Sequence, residues 1–117
     1  MKILFIVNDP PYGTEHVYNA LRLAHALSKK EPGSDIVVFL TADAVLAAKA
    51  GQKTPEGFYN IERMLKRVHS VEGRVLLCGT CMDARGIDDG EITEGAQRST
   101  MDELAAATVS ADKVLVF

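Results

Sequence analysis

Cysteine is scarce in this chain: two thiols among 117 residues cannot build the disulfide framework on which small secreted domains rely. An excess of positive charge is also missing. Thirteen basic side chains stand against sixteen acidic ones, a formal charge of −3, which argues against nucleic acid or an anionic membrane surface as a partner. No apolar run approaches the roughly 20 residues that span a bilayer. Residues 3–7 are also far shorter than the core of a secretory leader and lead directly into Asn8-Asp9-Pro10-Pro11. These absences together set the expectation of a soluble protein in a reducing cytoplasm. Glycine-rich phosphate loops are lacking too, since Pro10-Pro11-Tyr12-Gly13-Thr14 holds one glycine and matches neither G-x-G-x-x-G nor G-x-x-x-x-G-K-[ST]. No Ser-His-Asp arrangement, paired-carboxylate motif or histidine-rich motif occurs, so neither metal nor cofactor is expected. His16 and His25 fall about 180° apart on one predicted helix and cannot share a site. Asp88, Asp89, Glu91 and Glu94 lack the ordered spacing of a calcium loop and read as a solvated segment.

What the chain does have is hydrophobic residues, 47% of the total, grouped into short runs that alternate with helical patterns. Lys2–Val7 is apolar and β-branched and ends in a dense set of turn formers, as a buried strand does. Thr14 is placed to cap a helix with Glu15 in its first turn, and Val17, Ala20, Leu21, Ala24 and Leu27 recur at helical spacing down to Lys29-Lys30. Pro32-Gly33 breaks it. Asp35–Leu40 then has no polar alternation, the pattern of a parallel strand covered on both faces. A short helix is expected within residues 41–50, capped by Thr41 or Asp43 and ended by Gly51. Residues 52–57 read as a surface loop, followed by a helix built on Ile61, Met64, Leu65 and Val68 and a strand over residues 74–77. Residues 87–95 suggest an exposed connection with one short strand near Ile92, before a last helix on Met101, Leu104, Ala105 and Thr108 and a strand at residues 112–117.

Strands alternating with helices imply right-handed crossovers. The expected fold is a single three-layer α/β domain over residues 1–117, with a mostly parallel sheet of about five strands and helices on both faces. Ligands in such sheets bind beyond the carboxyl ends of the strands. Residues 8–13, residues 41–43 and the segment around Cys78 all belong to that edge.

Val75-Leu76-Leu77-Cys78-Gly79-Thr80-Cys81-Met82-Asp83-Ala84-Arg85-Gly86 is the stretch with most chemistry. A thiolate attacks electrophilic sulfur, so a working cysteine needs exposure and positive potential nearby. Cys78 leaves a strand, Arg85 follows within the same segment, and Gly79 and Gly86 leave room for backbone to approach a ligand. Other readings stay open: Cys78 as a small core residue, two ligands of a zinc site, or a Cys78–Cys81 dithiol that cycles with its disulfide. Tyr12 and Gly13 either wall a thiol pocket or form a tight turn, and Asp43 either orients a group in the site or caps a helix.

The order of several blocks adds to this reading. Pro11-Tyr12-Gly13 with Glu15, Leu21-Arg22-Leu23-Ala24, Asp43-Ala44-Val45, Gly51-Gln52-Lys53, Tyr59-Asn60-Ile61 and Met64-Leu65 precede Cys78, Thr80-Cys81, Asp83 and Arg85-Gly86-Ile87. Ser110-Ala111-Asp112-Lys113-Val114-Leu115 closes the series. On these residues the chain resembles the DsrE/DsrF-like sulfur-relay family, most closely its small YchN-like members. The resemblance implies a sulfurtransferase-type carrier that holds sulfane sulfur as a persulfide on Cys78, with Arg85 as electrostatic support. Donor and acceptor would be proteins or small thiols, and the chain would form a homo-oligomer, with a hexamer as one form. The expected pocket is walled by Tyr12 and Gly13 and by residues 52–59, including Gln52 and Tyr59. Cys81 departs from the carrier pattern and keeps the dithiol alternative in view, beside a noncatalytic assembly or regulatory module.

Overall fold

The computed structural model of the chain describes residues 1–56 and 58–117. The apolar runs become strands β1 (Lys2–Val7), β2 (Asp35–Leu40), β3 (Arg74–Cys78), β4 (Ala96–Ser99) and β5 (Lys113–Val116). Between them lie helices α1 (His16–Lys30), α2 (Ile61–Ser70), α3 (Gly79–Ala84) and α4 (Met101–Ser110). All strand pairs are parallel, in the order β4-β3-β2-β1-β5. The chain therefore winds outward from β1 through β2 and β3 to β4, then returns across the sheet through α4 to place β5 on the other side of β1.

Both sheet faces are apolar, which explains why these strands show no alternation. Leu4 and Val37 lie beneath α4, where they line a small gap with Ala107, Ser110 and Ala111. By strand alternation their neighbours Ile3, Phe5, Val7, Ile36 and Val38 face the opposite layer, formed by α1 and α2. That layer is well filled: Val17, Ala20, Leu21 and Ala24 of α1 and Ile61, Leu65 and Val68 of α2 are all buried. Coverage by α4 is thinner. Leu104 is its one buried residue, while Met101 and Val109 remain exposed, as do Val114 and Val116 on β5.

Several boundaries differ from the sequence expectation for identifiable reasons. Helix α1 starts at His16, with Glu15 rather than Thr14 in the cap position; the Thr14 hydroxyl instead accepts from the His16 amide at 3.4 Å. The helix expected within residues 41–50 is a tighter 3-10 turn, Ala42–Ala48, and it ends before Gly51. Thr41 occupies its cap position, but neither its side chain nor that of Asp43 bonds the free amides, both being engaged elsewhere. No strand forms at Ile92, which makes a single antiparallel bridge to Lys49 after the 3-10 turn Asp89–Glu91. The strand lies further on, at Ala96–Ser99, and its polar sequence carries no apolar signal because it is an edge strand paired with β3 alone. Of the expected surface loop 52–57, Gly57 lies outside the described residues.

Gln52 is half-buried and anchors that loop. Its amide nitrogen donates to the carbonyls of Ala47 and Lys49 at 2.8 and 2.9 Å, and its side-chain oxygen accepts from the Tyr12 hydroxyl at 2.5 Å. Asn60 caps α2 by accepting from the Arg63 amide at 3.0 Å. Next to it, the buried Glu62 carboxylate accepts from the backbone amides of Gly51 and Gln52, each at 3.0 Å. Burial opposes ionisation of Glu62, but the Gln52 and Gly51 amides and the nearby Lys66 outweigh it and hold the carboxyl below the usual glutamate value.

A carboxyl group with a depressed native value adds stability that is full above the ordinary glutamate value and lost as pH falls through the depressed one. Glu62→Gln is accordingly expected to cost about 1.5–3 kcal/mol at neutral pH, the range for hydrogen bonds to a charged group. Urea unfolding of both proteins from neutral to acid pH should show this difference shrinking. A difference that stays constant into acid would contradict the ionised network.

Candidate thiol site

The site begins where β3 ends. Cys78 is the last residue of β3 and the cap residue of α3, and its sulfur accepts from the Cys81 amide at 3.4 Å. Gly79 opens α3 in close contact with β4: a Cβ there would stand 3.0–3.1 Å from Arg98 side-chain atoms and the Ser99 carbonyl oxygen. Arg98 fixes this junction by donating to the Gly79 carbonyl at 3.1 Å and to the carboxylates of Asp83 and Asp89 at 3.0 and 2.7 Å. Gly86, at φ +65°, takes the left-handed turn that ends the helix and lets Ile87 return to the core.

The second wall comes from the end of β2. Leu40 and Leu77 are register partners, so Thr41 and Ala42 continue beside Cys78 and α3. The Thr41 hydroxyl lies 3.6 Å from the Cys81 sulfur, and the Ala42 amide donates to the same sulfur at 3.2 Å. Ala42 reaches this position with φ +51°, a left-handed conformation that residues bearing a Cβ seldom adopt. Asp43 follows and accepts from Nε and Nη2 of Arg85 at 2.9 and 2.8 Å. Arg85 also donates to the Cys81 carbonyl at 3.0 Å.

These contacts divide the two sulfurs. Cys78 is 8% exposed, and burial followed by its interaction with the Cys81 thiol pushes it above the ordinary cysteine value. Cys81 is only partly buried. Burial acts in the same upward direction on it, but hydrogen bonds from Cys78, Thr41 and Ala42, together with the charge of Arg85, outweigh that and bring it below the ordinary value. The arrangement can therefore hold one sulfur as an anion beside a second, neutral one.

Of the residues singled out from sequence, Cys78, Cys81, Asp43, Arg85, Gly79 and Gly86 meet at this edge. Arg85 stands with Cys81, whereas the sequence had set it beside Cys78. Tyr12, Gly13 and Tyr59 do not wall the thiols. They line a separate groove of about 580 Å³ with Pro11, Tyr18, Phe58 and Ile61. The loop bearing Tyr12 follows β1, which β2 separates from β3, a lateral offset of roughly 10 Å at ordinary strand spacing. Its hydroxyl turns to Gln52 and to the Ile61 amide, and Gln52 is committed to the same network. Thr41 and Ala42 belong to the turn of residues 41–43 that the sequence placed at this edge, though neither was singled out there; Arg98 was not anticipated and had no signal. Among the described residues no group of three or more His, Cys, Asp or Glu side chains is placed to hold a metal.

Comparison with known proteins bears on the whole chain. The DsrE/DsrF-like family matches residues 1–117. Protein YchN of Escherichia coli is 47% identical over 116 residues, covering 99% of this chain and 98% of that protein. The crystal structure of the E. coli protein superposes with a TM-score of 0.95, at 45% identity over 100% of this chain and 99% of the other. Protein MJ0989 of Methanocaldococcus jannaschii is 35% identical over 117 residues, the full length of both. MTH1491 of Methanobacterium thermoautotrophicum, a protein of unknown function, shares the fold at a TM-score of 0.82 with 12% identity, over 99% and 98% of the two chains.

Titration of thiolate absorbance is expected to show two separate steps, one below and one above the ordinary cysteine value, as coupled neighbours give. Arg85→Gln should move the lower step upward. A single step at the ordinary value would contradict the distinction between the sulfurs.

Proposed function

The chain belongs to the DsrE/DsrF-like family, and from that premise we propose that it is a small sulfur-relay protein that carries sulfane sulfur as a persulfide on Cys78 and passes it to a partner thiol. The observation that carries this reading is the meeting of two free thiols at the carboxyl edge of β3, one of them in hydrogen-bonding contact with a backbone amide and a hydroxyl. Uptake breaks the sulfur–sulfur bond of a donor persulfide: a protein thiolate bonds to the outer sulfur, and the donor leaves as its thiolate. Release to an acceptor thiolate is the same exchange in reverse. No oxidant or cofactor is required, and the cytoplasm, where thiols stay reduced, is the compartment this chemistry suits.

The proximity of Cys81 to Cys78 supports a second outcome at the same site. Attack of the Cys81 thiolate on the inner sulfur of a Cys78 persulfide would expel hydrosulfide and leave a Cys78–Cys81 disulfide, making the protein a dithiol couple. Intact-protein mass spectrometry after exposure of the reduced chain to a small-molecule persulfide separates the two. One added sulfur atom, mapped to the peptide holding Cys78, is expected. Loss of two hydrogens without retained sulfur would replace the carrier by the dithiol couple, and an unchanged mass would overturn both.

We further propose that the protein works as a homo-oligomer, for which a hexamer is the form suggested by the family. The thin cover of α4 supports this, since Val116 on the edge strand β5 and Met101 on α4 are each 64% exposed. Sedimentation equilibrium should give a mass several times that of the chain, reduced by Val116→Glu. A monomeric native protein would refute the assembly.

A further inference from the structure

The two sulfurs of the site are built for different tasks. The 8% exposed Cys78 is closed in by α3 and by the junction of β3 with β4. Cys81 is more accessible, and three elements converge on it. The end of β2 supplies the Thr41 hydroxyl, the strained Ala42 turn supplies a backbone N–H at 3.2 Å, and the turn after α3 supplies Arg85, bound to the Cys81 carbonyl. A left-handed alanine is strained and persists only where surrounding structure imposes it. Here the imposed turn aims its amide at a sulfur. The charged and titratable groups facing that sulfur are the Cys78 thiol at the end of β3, Arg85 on the turn after α3, and Asp43 on the 3-10 turn, whose charge is taken up by Arg85.

We infer that Cys81 is the thiolate that receives sulfur entering the site, and that Cys78 is the shielded position to which Cys81 hands it. In the first step the Cys81 thiolate bonds to the outer sulfur of a donor persulfide, and the donor departs as its thiolate. In the second, the Cys78 sulfur bonds to that same outer sulfur and the bond to Cys81 breaks. The proton of the Cys78 thiol ends on the Cys81 sulfur. Atoms and electrons balance without an external oxidant. Hydrogen bonding to Cys81 serves both steps, because a thiol of low proton affinity is ionised when it attacks and is the better leaving group when it is displaced. Ala42, Thr41, Asp43 and Arg85 are positioning residues that act through Cys81. The hand-over rests on the sulfur-relay reading, whereas the assignment of the thiolate to Cys81 does not.

Peptide-resolved alkylation of the native chain with iodoacetamide, over a range of pH, tests that assignment without a variant. Cys81 is expected to be labelled at least about tenfold faster than Cys78 at neutral pH, with a rate that rises through a value below that of an ordinary cysteine. Thr41→Val should shift this profile upward while leaving Cys81 as exposed as before, which separates ionisation from access. Faster labelling of Cys78, or a Cys81 profile at the ordinary value that Thr41→Val does not move, would overturn the assignment. Loading with the small-molecule persulfide then tests the hand-over. Cys81→Ser should load Cys78 about tenfold more slowly than the native chain, or worse, while Cys78→Ser should still take one sulfur, held on Cys81. Native-rate loading of Cys81→Ser would refute the entry role of Cys81. Labelling that favours Cys81 in a chain that takes up no sulfur would overturn the relay and its hand-over together, and would leave the thiolate on Cys81.

Discussion

The register between β2 and β3 is the constraint on which the site depends. Pairing of Leu40 with Leu77 brings the two strand ends level, so the residues that leave β2 run alongside the residues that open α3. A slip of one residue would turn each buried side chain of β3 to the opposite face, so the same burial that stabilises the sheet fixes where the thiols stand. The ladder also extends one step past β2, as the Thr41 amide donates to the Val7 carbonyl at 3.0 Å. That bond holds Thr41 extended, and the sharp turn has to fall on Ala42. Behind it Ala44, Val45, Ala47 and Ala48 are fully buried. The packing of these small side chains offsets the backbone strain and keeps the Ala42 amide pointing at Cys81.

Electrostatics at the site follow from how charge is shared. Arg85 is the positive side chain beside Cys81, yet two of its nitrogens bind Asp43, and a cation paired in this way projects a weaker field. Hydrogen bonds are then the larger influence on the sulfur, ahead of the guanidinium charge. Two adjacent thiols also resist ionising together, because the first negative charge raises the cost of the second. Hydrogen bonding decides which sulfur gives way, since burial opposes ionisation of both. Cys78 holds its proton more tightly than an ordinary cysteine, and its hydrogen bond to Cys81 favours ionisation there.

Much of this architecture could be read from sequence because it rests on local pattern. Unbroken apolar runs at Lys2–Val7 and Asp35–Leu40 specify covered parallel strands, and Cys78 stands visibly at the end of another. What escaped depends on contacts between distant segments. Thr41 and Asp43 have the composition of helix caps, but their oxygens are used by Cys81 and Arg85, about forty residues away in sequence. Ala42 carries no polar side chain and contributes only backbone, so composition gives no hint of its role. Arg98 sits in a four-residue edge strand whose polar character resembles a loop until β3 is placed beside it. Tyr12 and Gln52 share a sheet edge with the thiols in sequence terms, but the strand order sends them to a different network.

The two grooves near Tyr59 belong to the α1 and α2 layer, and neither is lined by Cys78 or Cys81. The thiols stand at a structured edge, outside both of these grooves. An edge site discriminates poorly by shape. It suits a reacting group of one or two atoms presented on something larger, such as a persulfide on a partner or a small thiol carrier. The exposure difference between the sulfurs then becomes useful. A persulfide left at an accessible position is open to any passing thiol, whereas one held on Cys78 is screened by α3 and the Gly79–Arg98 junction. On the proposed relay, retaining transferred sulfur would require no enclosing pocket. The fold provides a second sulfur, one helical turn away, whose surroundings admit little solvent.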